Sequence, residues 1–117
     1  IDADKENSDE YYEAALQLLR DGGVVMIDDS LWSGRVMKEE EHTDPESVAL
    51  RELNLKMSED PRILSSLLPI ADGVTFGVKM PEWAIKRGAG WGAAGKESRA
   101  SPAAASWSDL GGKVIAV

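Results

Sequence analysis

The stretch that most constrains this chain is a short apolar run, Val24-Val25-Met26-Ile27, closed by two adjacent carboxylates, Asp28 and Asp29. A continuous, mostly β-branched run of this kind reads as a strand covered on both faces. The chain opens on the same pattern in miniature, with Ile1 followed by Asp2, Asp4 and Lys5. If Ile1 ends another strand, the helix-length segment between the two makes a right-handed crossover, and the sheet here is expected to be parallel. Open α/β sheets bind ligands beyond the carboxyl ends of their strands. Neighbouring strands lie about 4.8 Å apart, so Asp2 and Asp28 are expected to share one cation.

The segment between them reads as a helix. Asn7 is the expected N-cap, with Glu10 completing a capping box. Tyr12, Ala15, Leu16 and Leu19 recur at the spacing of one buried face. Arg20 suits the C-terminal dipole, and Gly22-Gly23 supplies the stop.

Beyond Asp29 the periodicity fades. Ser30 to Thr43, with its Lys38-Glu39-Glu40-Glu41-His42 charge run, reads as a solvated loop. His42, the only histidine, is assigned no role. Asp44-Pro45 starts a second helix, whose Ala49, Leu50, Leu53 and Met57 share a face before Asp60-Pro61 ends it. Arg62 to Leu68 and Val74 to Lys79 read as strands joined so tightly, through Pro69 to Gly73, that they must be antiparallel. This order describes the second half of a mixed, doubly wound sheet with an open edge.

The length, 117 residues, allows one domain. Because the chain begins with Ile at what looks like a strand end, an N-terminal part is expected to precede it. Residues 1 to 80 hold 18 acids against 8 bases, whereas 81 to 117 hold 3 against 5 and are dominated by Gly, Ala and Ser. A boundary near Met80-Pro81 follows, with a poorly ordered tail over 81–117. Its Gly90-Trp91-Gly92-Ala93-Ala94-Gly95 matches a dinucleotide fingerprint only formally, since the preceding strand that the pattern requires is missing. The net charge of -8 argues against nucleic acid or an anionic membrane as a partner. Without Cys, disulfides and thiolate metal sites are excluded. With no apolar span and no visible signal peptide, the default compartment is cytosolic.

Asp2, Asp28 and Asp29 offer hard oxygen donors that suit Mg, Mn or Ca. Such a cation makes a bound hydroxyl more acidic. Lys5, at the same sheet edge, could act as general base. Hydroxyl activation suits this set best, but acid pairs after strands also occur in receiver-like modules and Mg-dependent phosphohydrolases. On the residues alone a non-catalytic metal-binding or interaction module stays open.

Ile-Asp-Ala-Asp-Lys-Glu-Asn at 1–7, Tyr-Tyr-Glu at 11–13, Leu-Leu-Arg-Asp-Gly-Gly at 18–23 and Ile-Asp-Asp-Ser-Leu-Trp-Ser-Gly at 27–34 closely resemble the cation-dependent O-methyltransferases, which include caffeoyl-CoA and catechol O-methyltransferases. Leu68-Pro69-Ile70-Ala71-Asp72-Gly73-Val74-Thr75 resembles the family's closing hairpin, and the resemblance ends near Met80. It implies the C-terminal half of a Rossmann-like, seven-stranded methyltransferase sheet that uses S-adenosylmethionine and a divalent cation, with a catechol or phenylpropanoid acceptor and a homodimer in the complete enzyme. By the same resemblance Asp2, Asp28 and Asp29 are metal ligands, the third standing where the family usually has Asn. Asp4 contacts the methyl donor, Lys5 is the catalytic lysine, and Ser33 and Trp32 face the substrate. The family's glycine-rich donor loop has no counterpart here, so the isolated chain is expected to be inactive.

Overall fold

The computed structural model describes residues 1–87. After a 3-10 turn at Lys5–Asn7, helix α1 spans Ser8–Leu18 and strand β1 Val24–Asp28. Two further short turns, merged across a kink, occupy Trp32–Met37. Helix α2 (Pro45–Glu59), strands β2 (Ile63–Leu68) and β3 (Val74–Lys79) and a short helix α3 (Glu82–Lys86) complete the order.

The strands form one sheet in the order β1-β3-β2, both pairs antiparallel. Val25 faces Gly77 across the first pair, and Ser65 faces Gly77 across the second. The expected hairpin is therefore present, but β1 does not extend a parallel sheet among the three strands. A parallel contact is made by the first residue alone. The Ile1 amino group donates to Met26 O at 2.6 Å, and Asp28 N donates to Ile1 O at 3.0 Å. Bonds from one residue to two residues spaced two apart are those of a parallel ladder.

The core lies on one side of the sheet, where Tyr12 and Leu16 of α1 and Leu53 and Met57 of α2 meet Val25, Ile27 and Ile63. Gly77 lets the helices approach, because a Cβ there would stand 3.0 Å from Ile63 Cδ1 and 3.1 Å from Val25 Cγ1. The expectation that β1 is covered on both faces is corrected. Its residues alternate exposed and buried, with Val24 at 41% and Met26 at 43% of full exposure. Helices pack on only one face, so the apolar run reflects a second face left bare among the described residues.

Both ends of α1 depart from expectation. Asp44 caps α2 as read, its Oδ1 accepting from Ser47 N at 3.0 Å. Asn7 makes no side-chain cap bond, because the preceding 3-10 turn holds it at φ −98°, ψ 13° rather than extended, and its amide donates to Asp4 instead. No basic residue lies in the last turn of α1. Lys79 of β3 takes that part, its Nζ donating to Leu16 O at 2.7 Å and Leu19 O at 2.6 Å. A charged network links α1, α2 and the start of β2. Arg62 forks onto Glu13 and Asp60, Lys56 reaches Asp9 and Glu13, and the Tyr12 hydroxyl donates to Asp60 at 2.8 Å.

Just past Met80 the structure continues into a short helix. Residues 82–86 are helical with Ala84 buried, and Trp83 is exposed with the Arg87 guanidinium 5.8 Å from its ring centroid. Residues 82–86, the described segment ahead of the glycine motif at 90–95, are thus helical and not a strand, and the motif itself lies outside the described residues, as does the rest of the tail.

Candidate active site

The carboxyl end of β1 carries the chain into a tight descent. Asp29, Trp32 and Ser33 all have positive φ (57°, 47° and 53°), a region costly for residues with a Cβ. Such a backbone persists only when its surroundings over-determine it. The β2–β3 turn supplies that support: Ser30 N donates to Gly73 O at 3.0 Å and Leu31 N to Asp72 O at 2.7 Å. Gly73 has φ 83°, and a Cβ on it would fall 2.6 Å from Leu31 Cγ. Below the descent, fully buried Ser30 donates to Ile27 O at 3.0 Å and accepts from Thr75 Oγ1 at 2.8 Å, while Asn54 of α2 donates to Ser30 O at 2.7 Å. Ser30, Asn54, Asp72 and Thr75 were invisible as a set in the sequence. They lie far apart along the chain, and what joins them is bonding across the fold rather than any spacing in the sequence.

Lys5 is the centre of the site. Its side chain is only 8% exposed, yet it holds a charge among acids. Nζ lies 3.0 Å from Asp29 Oδ2, 3.4 Å from Asp2 Oδ1 and 3.5 Å from the Asp28 carbonyl oxygen, with the Trp32 ring centroid at 5.6 Å. A buried ammonium of this kind needs paired charge to offset lost hydration. Two carboxylates and a carbonyl provide it, and the ring adds a cation–π contact.

Of the residues expected at the site, Asp2, Lys5, Asp29 and Trp32 are thus brought together. The Asp28 carboxylate accepts from the Asp29 amide at 2.9 Å. Asp4 is turned to α1, where the Tyr11 hydroxyl and the Asn7 amide occupy its two oxygens and hold its carboxyl below the usual range. Ser33 donates to Asp72 Oδ2 at 3.1 Å. His42, assigned no role above, is held by two arginines: its Nδ1 accepts from Arg35 Nε at 3.3 Å and its carbonyl from Arg51 at 2.8 Å. It belongs to a brace of the 30–43 segment rather than to the site. Among the described residues, no three Asp, Glu or His side chains stand close enough together to hold a metal ion.

A rim of carboxylates around a buried lysine suits the handling of a proton on a polar substrate, and comparison with known proteins says in which family. The profile described as O-methyltransferase matches residues 1–80, more than two thirds of the chain. The chain belongs to the O-methyltransferase family. It is 49% identical over 80 residues to "Probable caffeoyl-CoA O-methyltransferase 2" of Dictyostelium discoideum, and 41% identical over 80 residues to mouse "Catechol O-methyltransferase domain-containing protein 1". These matches cover 68% of this chain and 35% and 30% of the relatives, so this O-methyltransferase chain spans about a third of their length. Among solved structures, it is similar to the O-methyltransferase of Bacillus cereus in complex with SAH, at a TM-score of 0.60 and 32% identity, over 68% of this chain and 38% of that one.

Proposed function

We propose that this chain is the catalytic-edge portion of a divalent-cation-dependent O-methyltransferase, which moves a methyl group from S-adenosylmethionine to one hydroxyl of a catechol or phenylpropanoid. The observation that carries the reading is the position of Lys5 Nζ, enclosed by Asp2, Asp29 and the Asp28 carbonyl. It is supported by the family match and by relatives named for caffeoyl-CoA and catechol methylation. In this reading the complete sheet has seven strands, of which β1 to β3 form one side.

Asp2, Asp28 and Asp29 would hold the cation. The set fits a hard ion in the type of its donors, all of them oxygens, whereas in this structure Asp2 and Asp29 close on Lys5 and Asp28 joins them only through its backbone carbonyl. When bound, such an ion makes a coordinated phenolic hydroxyl acidic enough to ionise near neutral pH. Lys5 Nζ, 3.0 Å from Asp29 and 3.4 Å from Asp2, is placed as an ammonium to hold the oxyanion in line, and would accept the phenolic proton only after losing its own to solvent beside the bound cation. The oxyanion then attacks the sulfonium methyl carbon; the O–CH3 bond forms as the S–CH3 bond breaks, and S-adenosylhomocysteine leaves. Trp32 forms a wall beside Lys5, and Ser33 lies on the same descent. Alignment of the two reactants contributes on the order of 7 kcal/mol or more.

The described residues contain no glycine-rich loop to cradle the donor, so the chain on its own is expected to be inactive. The test is a transfer assay with S-adenosylmethionine, Mg and a catechol, run on this chain and on one extended at its amino end with the remainder of a methyltransferase domain. Activity in the extended protein that disappears in Lys5→Met supports the reading. Activity that survives Lys5→Met removes the lysine from it, and no activity in the extended protein rejects it.

A further inference from the structure

The acidic rim already holds a cation of the chain's own. Lys5 Nζ has three oxygens around it, one for each N–H of an ammonium: Asp29 Oδ2 at 3.0 Å, Asp2 Oδ1 at 3.4 Å and the Asp28 carbonyl at 3.5 Å. These are the spacings of an ammonium, since a hard divalent ion draws its oxygens in to about 2.0–2.6 Å. The Asp28 carboxylate takes no part, its Oδ1 accepting from the Asp29 amide instead. Among the described residues no three acids stand close enough together to hold a metal ion. Asp2, Asp28 and Asp29 can therefore converge on one point only if two of them leave Lys5.

Asp29 makes the shortest of these contacts, and it stands where the resemblance places Asn. A neutral amide at this position would leave Lys5 with Asp2 as its one carboxylate among the described residues. Asp2 is 70% exposed against 32% for Asp29, so water screens its contact more. The buried lysine thus depends chiefly on Asp29. An ammonium and a divalent ion drawing on the same two carboxylates also repel each other, and more strongly where the protein shields them from water.

We infer that Lys5, anchored by Asp29, is the resident counter-cation of this rim, and that it and a divalent ion exclude one another there, so that the ammonium leaves both carboxylates when the ion is bound. The inference rests on the functional reading above and deepens it. Lys5 becomes free to meet a substrate oxyanion only once the rim is loaded, and Asp29 is the positioning residue that keeps it in place until then.

The experiment uses the 117-residue chain with Mn as the probe ion. Calorimetric titration gives the affinity. The Lys5 amine is followed by its rate of acetylation with acetic anhydride, read by peptide mass relative to Lys38 in the same sample, without Mn and at saturation. The expected result is acetylation of Lys5 at least fivefold faster when Mn is bound. Lys5→Met should bind Mn at least tenfold more tightly than the unaltered chain. Asp29→Asn should speed acetylation of Lys5 at least fivefold with no ion present, and because Asn tolerates the left-handed backbone it carries the test if circular dichroism shows Lys5→Met to be unfolded. Bound Mn with Lys5 acetylated no faster than in its absence means that ion and ammonium coexist; it overturns the inference while leaving the cation reading in place. Affinity unchanged in folded Lys5→Met, or acetylation unchanged in Asp29→Asn, overturns it as well. If neither the unaltered chain nor either variant binds Mn, the cation is struck from the functional reading and the exclusion falls with it.

Discussion

Asp29 carries three constraints at once. It pairs with Lys5 at 3.0 Å, sits at φ 57°, and stands where the resemblance places Asn. Asn and Asp tolerate the left-handed region better than other residues with a Cβ. Asp29→Asn should therefore keep the backbone, whereas Asp29→Val should cost about 1–2 kcal/mol or more, read from urea unfolding. In a complete enzyme, removing the third negative charge should strengthen the cation's pull on the phenol. Turnover of Asp29→Asn is expected to rise with metal binding intact, checked by steady-state rates and metal titration. Glu13 supplies the pH prediction. Hydrogen bonds from Arg62 and then Lys56 lower its carboxyl pKa to about 2 from the usual 4.5. Since the folded value is depressed, the stabilisation is complete above pH 4.5 and is lost as pH falls from there toward 2. A third of this side chain is exposed, which screens the effect. Glu13→Gln should flatten the fall in melting temperature between pH 4.5 and 2 relative to the unaltered chain.

Among the elements, α1 depends on β3 for its ending. Lys79 satisfies the carbonyls of Leu16, in its last turn, and of Leu19, its C-cap. Lys79→Met should cost about 1–2 kcal/mol, in the range of hydrogen bonds to charged groups, with exchange accelerated most in the C-terminal turn of α1. The β2–β3 turn has a comparable role toward the site. Gly73→Ala meets both the positive φ and Leu31 at 2.6 Å. It should destabilise the chain by at least about 1–2 kcal/mol and raise exchange at the Ser30 and Leu31 amides, which bond to this turn. Exchange at those amides no faster than in the unaltered chain would show that the turn does not hold the descent after Asp29.

For the whole molecule, a three-stranded sheet with helices on one side is a partial solution to burial. Its bare face and open edge explain the alternation along β1. They also predict catalysis only in the company of further chain. The 117-residue protein assayed alone with S-adenosylmethionine, Mg and catechol should show no transfer above background, and measurable turnover by it would mean that the donor is held by residues outside 1–87.

By itself the sequence determined the two longer helices and three strands in their order, the antiparallel hairpin, the cap at Asp44 and the family, because periodicity, turn residues and motif wording are local properties written in consecutive positions. It also indicated Asp2, Lys5 and Asp29, since their closeness follows from adjoining strand ends. What only tertiary structure decided is which groups pair across the fold: β3 entering between β1 and β2, Lys79 capping α1, Asp72 and Gly73 bracing the descent, and Arg62 gathering Glu13 and Asp60. Those contacts join residues tens of positions apart, and their geometry is set by packing on a common core rather than by any neighbour in the chain. The bare face of β1 was misread for the same reason, since an apolar run specifies that a surface will be buried but not which polypeptide buries it.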